Sequence, residues 1–218
     1  MIMNKLSKIV AAILVVVALP TIAQENNLGE YVYPFGSRTF ISLDSNGKSI
    51  SVSQYSFASE SFDNYLIEEV YVGLGIMSAK SIYRYYVEGN AVISDVQLRQ
   101  NALTGSTRYE GKITIFALPY NDKPYTWSEF DRGDKISGKS EYVYVKIRNV
   151  QRKAVKITKD ITYSVDNVPH KHQEKSYWVE GFGRIVTYYS TDGGEEYVSS
   201  RTDNDALFWG FELSTQGM

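Results

Sequence analysis

The chain has 218 residues, 43% hydrophobic and 22% charged, with a formal net charge of −2 and a mean hydropathy of −0.28. That composition excludes a disordered polyelectrolyte, a collagen-like fibre and a polytopic helical membrane protein, and its acidic balance argues against general binding to nucleic-acid phosphates. The absence of cysteine removes disulfides, zinc–thiolate centres, iron–sulfur clusters and thiol catalysis, while 18 tyrosines favour strands, because flat rings pack well on a pleated face.

The N-terminus reads as a cleaved signal peptide over 1–23. Lys5 and Lys8 form a basic start, Ile9 to Leu19 are apolar throughout, and Thr21-Ile22-Ala23 is a small-x-small cleavage site before Gln24. The apolar run falls well short of the ~20 residues that span a bilayer, so no integral membrane anchor is expected. No cysteine is available for acylation at the cleavage point. A protein exported to the periplasm or beyond, and not lipid-anchored, is the expectation. Residues 24–218 are expected to form a single all-β domain after a short polar lead over 25–30.

From there strand-like runs succeed one another: 38–43, 49–57, 65–74, 82–87, 91–99, 107–118, 125–130, 141–150, 154–165, 175–179, 184–190, 195–201 and 206–213. They are rich in Val, Ile, Tyr, Thr and Phe. In 142–148, Val143, Val145 and Ile147 take one face while Tyr142, Tyr144, Lys146 and Arg148 take the other. Turn signals separate the runs, among them Ser45-Asn46-Gly47, Glu88-Gly89-Asn90 and Asp192-Gly193-Gly194. Connectors this short suit antiparallel hairpins. Helical content is limited to a turn or two over 59–69 and a short capped turn over 203–207. The fold class is therefore mainly β, a curved antiparallel sheet or half-barrel, with a two-sheet sandwich as the alternative.

Gly133-Asp134-Lys135-Ile136-Ser137-Gly138-Lys139-Ser140 matches the phosphate-loop pattern by letter. That chemistry needs a helix after the loop, and the following Tyr/Val alternation forms a strand, so a polar hairpin or edge loop is expected instead. His170, His172 and Glu174 would share one face if extended, but Asp166-Asn167-Val168-Pro169 before them suggests an exposed turn. No metal and no other cofactor is expected. Lys146, Arg148, Arg152, Lys153, Lys156 and Lys159 form a basic patch beside Tyr142 and Tyr144. Lysines of this kind commonly guard edge strands, although an anionic glycan or lipid headgroup would also suit them. No hydrolytic triad is visible. The carboxylates Glu129, Asp131 and Asp134, and Glu195 with Glu196, read as solvated clusters rather than a glycosidase pair.

Later features carry a resemblance. Ile113-Thr114-Ile115-Phe116-Ala117-Leu118-Pro119 precedes Tyr125-Thr126-Trp127, then two long basic strands, then Tyr177-Trp178-Val179-Glu180-Gly181-Phe182-Gly183-Arg184-Ile185-Val186. This order, over 107–190, resembles exported bacterial proteins similar to the periplasmic lipoprotein carriers. The chain departs from them at Asn121-Asp122-Lys123-Pro124, where relatives often place glycine, and lacks their common lipidation cysteine. The resemblance implies an incomplete barrel around an apolar groove, and a non-enzymatic carrier for a lipid, acylated peptide or other amphiphile. Phe116, Trp127, Trp178, Phe182 and Tyr188 are the candidate groove residues, with simple core filling the other role open to each ring. Glycan binding or a structural role with an envelope protein stands as the alternative, and a glycoside hydrolase-type enzyme as a third.

Overall fold

A computed structural model describes residues 28–32, 38–61, 64–73, 78–101 and 105–213. The expected signal peptide lies outside them. A single helical turn, α1 (Leu28–Val32), precedes six strands: β1 (Arg38–Leu43), β2 (Ser49–Ser61), β3 (Asn64–Gly73), β4 (Ser78–Glu88), β5 (Ala91–Asn101) and β6 (Gly105–Ala117). Then come β7 (Tyr125–Asp131), β8 (Asp134–Ile147), β9 (Val150–Val165), β10 (Val168–Val179), β11 (Gly183–Thr191) and β12 (Tyr197–Thr202). A second short helix, α2 (Asp205–Phe208), and β13 (Phe211–Leu213) complete the described chain. Among the described residues no helix is long and apolar enough to cross a membrane.

All ladders are antiparallel and belong to one hydrogen-bonded path, β13-β8-β9-β10-β11-β12-β1-β2-β3-β4-β5-β6, with β7 added alongside β8. The path is two meanders, β1–β6 and β8–β12, spliced where β12 pairs with β1. The sheet curves without closing into a barrel, and it is not the sandwich held as the alternative.

Tight turns explain the long hairpins. Arg132-Gly133, Arg148-Asn149 and Asp166-Asn167 each have both residues at positive φ. That is the two-residue geometry whose twist matches flanking strands. These three turns fold β7 to β10 into consecutive hairpins. The phosphate-loop look-alike is thereby explained without a phosphate: Gly133 (φ 96°) turns the chain, and Asp134 onward is already β8. Gly138 has a separate reason. It sits opposite Trp127 in the β7–β8 register, and a Cβ there would lie 2.1 Å from the indole. Gly138→Ala should therefore push Trp127 off the sheet and cost about 1–3 kcal/mol. Urea unfolding and a red shift of tryptophan emission would show it; unchanged stability and emission would refute this packing role.

Five sequence expectations need correction. Where it is described, the 59–69 stretch is not helical: 59–61 end β2 and 64–69 begin β3, its Tyr65 and Ile67 being better suited to a pleated ladder. The histidine stretch is not an exposed turn. The turn ends at Asn167, and His170 to Glu174 are paired with Ile161, Tyr163 and Lys159 inside β10. The basic patch does not guard an edge, because β9 is flanked by β8 and β10. Finally, the polar lead hides α1: Leu28, Tyr31 and Val32, spaced i, i+3, i+4, form one apolar stripe, each at most 6% exposed. The 206–213 run also divides, into α2, whose N–H of Leu207 is capped by the Asn204 side chain at 3.2 Å, and β13.

Two apolar clusters cover opposite faces of the sheet. The inner one joins Leu28, Tyr31 and Val32 to Val92, Phe116, Leu118, Val155, Ile157 and Trp178. The outer one joins Val145, Ile147, Ala154, Tyr177, Val179, Ile185 and Val186 to Leu207 of α2. The Tyr177 hydroxyl has its pKa pushed up to about 12, chiefly by burial and further by Tyr188 and Glu196. Since the unfolded phenol titrates near 10, folding keeps a proton that the unfolded chain releases. Stability should thus be complete below pH 10 and fall as pH rises towards 12. Urea midpoints in Tyr177→Phe should decline less steeply over that window; parallel slopes would count against a protonated buried phenol.

Candidate functional site

The two ends of the sheet meet over the inner face. Phe116 on β6 stacks on Tyr31 of α1 (ring centroids 5.4 Å) and meets the edge of Trp178 on β10 (5.3 Å). No ladder joins β6 to β7. Instead, Glu129 on β7 accepts hydrogen bonds from the Thr114 backbone N–H at 2.9 Å and hydroxyl at 2.8 Å. Lys159 on β9 donates to the Thr114 carbonyl at 2.5 Å. An open edge would leave such backbone groups for another strand; here two charged side chains take them.

Beside this seam, α1 leaves a cavity of about 190 Å³ on the inner face. Its described lining is aromatic in Phe40, Tyr55, Tyr85 and Trp178, aliphatic in Val32 and Ile115, and polar in Ser176 and Thr187. Its charged groups are Arg38, Lys159, Arg184 and Glu174, three cations against one carboxylate. The Arg184 guanidinium lies over the Phe40 ring at 4.3 Å and near Trp178 at 5.8 Å. Such contacts hold a cation in place without neutralising it. The Trp178 indole N–H donates to Ser176 Oγ at 2.8 Å. The Lys159 side chain retains some accessible surface, yet protein surrounds its ammonium closely enough for burial to lower its pKa. Glu129, Glu174 and Asp131 oppose that shift and Arg184 adds to it.

A bulge puts Arg184 here. In β10–β11 the register passes from Tyr177↔Val186 to Trp178↔Arg184, leaving Ile185 as the extra residue. Ile185 and Val186 then both fill the outer cluster, while Arg184 accompanies Trp178 to the inner face.

Of the five aromatic candidates, Trp178 lines the cavity. Phe116 is fully buried behind it, and Trp127 packs against the same inner cluster, stacked on Tyr125 at 5.9 Å. Phe182 and Tyr188 lie with the outer cluster, Phe182 beneath the Arg152 guanidinium at 4.7 Å. The structure therefore brings Phe116, Trp127 and Trp178 together and places Phe182 and Tyr188 on the other side of the sheet. Arg38, Phe40, Tyr55, Lys159 and Arg184 were not singled out as groove residues by sequence. The usable signal was alternation: Lys159 follows Val155 and Ile157 on the inward parity of β9.

The remaining candidates disperse. Lys153 sits over Tyr142 at 3.6 Å, Lys156 pairs with Glu141 at 2.5 Å, and Arg148 reaches the Ala206 carbonyl at 3.4 Å. Asp131 pairs with Arg132 and Glu196 with Lys175. His170 and His172 flank Tyr163 in a ladder of rings that continues to Tyr189 and Tyr197, with centroids 4.9 to 5.8 Å apart. Among the described residues no three His, Asp or Glu side chains converge as metal ligands.

In sequence the chain matches no family model and no curated protein. Two solved structures are similar in fold. One, from Bacteroides fragilis, is provisionally described as an exported protein with a YmcC-like fold. It is 14% identical with a TM-score of 0.43, over 80% of this chain and 98% of its own. The other, from Parabacteroides distasonis, is provisionally described as a lipoprotein. It is 11% identical with a TM-score of 0.46, over 79% of this chain and 94% of its own. Neither description names a ligand.

Proposed function

We propose that the protein is a non-enzymatic, exported binding or carrier protein for an amphiphile held against its inner face. The observation that carries this reading is the cavity between α1 and Trp178, where aromatic walls and fixed polar groups converge in the manner of a small-molecule site. Its lining includes Glu174 as the one carboxylate among the described residues, which favours binding over two-carboxylate hydrolysis. The signal-like start at Lys5 to Ala23 supports export, and the resemblance to lipoprotein carriers supports an acyl or similar ligand. At about 190 Å³ the cavity is smaller than the ~300–1,000 Å³ of drug-sized pockets, so a compact or single-chain ligand fits better than a multiply acylated one. Titration with an environment-sensitive fluorescent fatty acid should give saturable enhancement that Trp178→Ala weakens. A flat titration would remove the amphiphile reading.

A second reading rests on the ring ladder of Tyr163, His170, His172, Tyr189 and Tyr197, which lies partly open and has Asp192 beside its His170 end at 3.4 Å. Rings with polar neighbours offer a platform for a sugar ring. Hits on a glycan array that disappear in Tyr163→Ala would establish it, and an array without hits would dismiss it.

A further inference from the structure

We infer, building on the reading of the cavity as a ligand site, that it recognises the acidic end of its ligand. The class is a carboxylate or phosphate monoester on an apolar body, met by Arg184 and Lys159. Four observations lead there. The Arg184 guanidinium makes no hydrogen bond or ion pair with the described residues and rests against the faces of Phe40 and Trp178. Lys159 has three N–H donors and uses one of them, on the Thr114 carbonyl. Thr187 Oγ1, also in the lining, is buried without a hydrogen-bond partner among the described residues. The described lining carries three cations to one carboxylate in a chain whose overall charge is −2.

A buried donor without an acceptor costs free energy that an incoming oxygen would recover. A cation held against rings gains most from an ionised acceptor, because charge-assisted bonds are the stronger ones. An anion is thus the complement of this end of the cavity, and a neutral or cationic head is not. The volume holds about six solvent-sized groups at ~30 Å³ each, enough for an acidic head and its first carbons. Phe40, Tyr55 and Tyr85 would then take the apolar part.

The test compares octanoate, octyl phosphate, octanol and octyltrimethylammonium by isothermal titration calorimetry on the full folded protein. Octanoate and octyl phosphate should bind at least ten-fold more tightly than octanol, and the ammonium compound least of all. Whichever of the two anions binds better identifies the headgroup as carboxylate or phosphate. Arg184→Gln should bring the octanoate-to-octanol affinity ratio down to about one, and Arg184→Lys should keep most of the anion advantage. Thermal melts establish that each variant is folded. If Arg184→Gln does not fold, the wild-type salt dependence decides: sodium chloride should weaken octanoate binding and leave octanol binding alone. Equal affinities for octanol and octanoate, or salt-independent octanoate binding, would overturn the acidic-head inference but leave the cavity as a ligand site. Failure of all four compounds to bind would overturn both.

Discussion

Phe116→Ala is expected to lower the free energy of unfolding by about 3–5 kcal/mol, among the largest single effects available in this chain. The ring is fully buried and is the point at which three distant parts meet: α1 through Tyr31, β6 itself, and β10 through Trp178. Its removal opens a cavity where no ladder exists to hold the ends of the sheet together. For a chain of this length each kcal/mol moves the melting temperature by roughly 2–4 °C, so a drop of about 10 °C should appear in a calorimetric scan. Phe116→Leu, which keeps most of the volume, should lose less than half as much. A loss below about 1 kcal/mol for the alanine variant would mean that the sheet ends are held by something other than this contact.

The second large effect belongs to the seam. Glu129→Ala should cost about 3 kcal/mol, because the Thr114 N–H and hydroxyl lose a charged acceptor together. Lys159, whose ammonium Glu129 helps to keep charged, is then left closer to an uncompensated buried cation. Glu129→Gln should recover part of the loss, since a carbonyl oxygen still accepts. Glu110→Ala, which breaks an exposed pair with Arg108, should change stability by less than about 1 kcal/mol. In a double-mutant cycle, Glu129→Ala with Lys159→Met should be less damaging than the two losses added. Strict additivity would show that the two side chains do not act as one seam.

The sheet was largely legible in the sequence because each hairpin is written locally. β1 is the 38–43 run with unchanged bounds, and among the described residues Asn, Asp and Gly stand wherever the turns need positive φ, apart from Arg132 and Arg148. What was not legible depends on partners far along the chain. Nothing local says that β12 pairs with β1, so nothing local says that β9 is interior and its lysines not edge guards. The α1 turn is too short for a sustained period and owes its burial to Phe116, more than eighty positions away. Histidine and lysine beside a turn signal look like loop residues, yet His170 to Glu174 are held in a ladder by β9 and β11.

The site was half legible for a related reason. Aromatic runs marked Trp178, but alternation alone could not place it on the face opposite Tyr188. The bulge at Ile185 resets the parity between them, and a bulge is a property of the pair of strands. The same reset carries Arg184 inward, so the cation nearest Trp178 was hidden in what reads as a strand's outer face. Lys159 was masked by its company: within a run of basic residues it is the one drawn under the seam, while Lys153 and Lys156 have partners of their own.

Native mass spectrometry of the protein, purified without detergent from the cells that make it and desalted gently, tests the account most directly. A ligand-bearing inner face predicts a second charge-state series heavier by the mass of one acidic amphiphile. That series should shrink in Trp178→Ala and vanish on organic extraction. A single unliganded series, from protein that also fails to bind the fluorescent fatty acid, would contradict it.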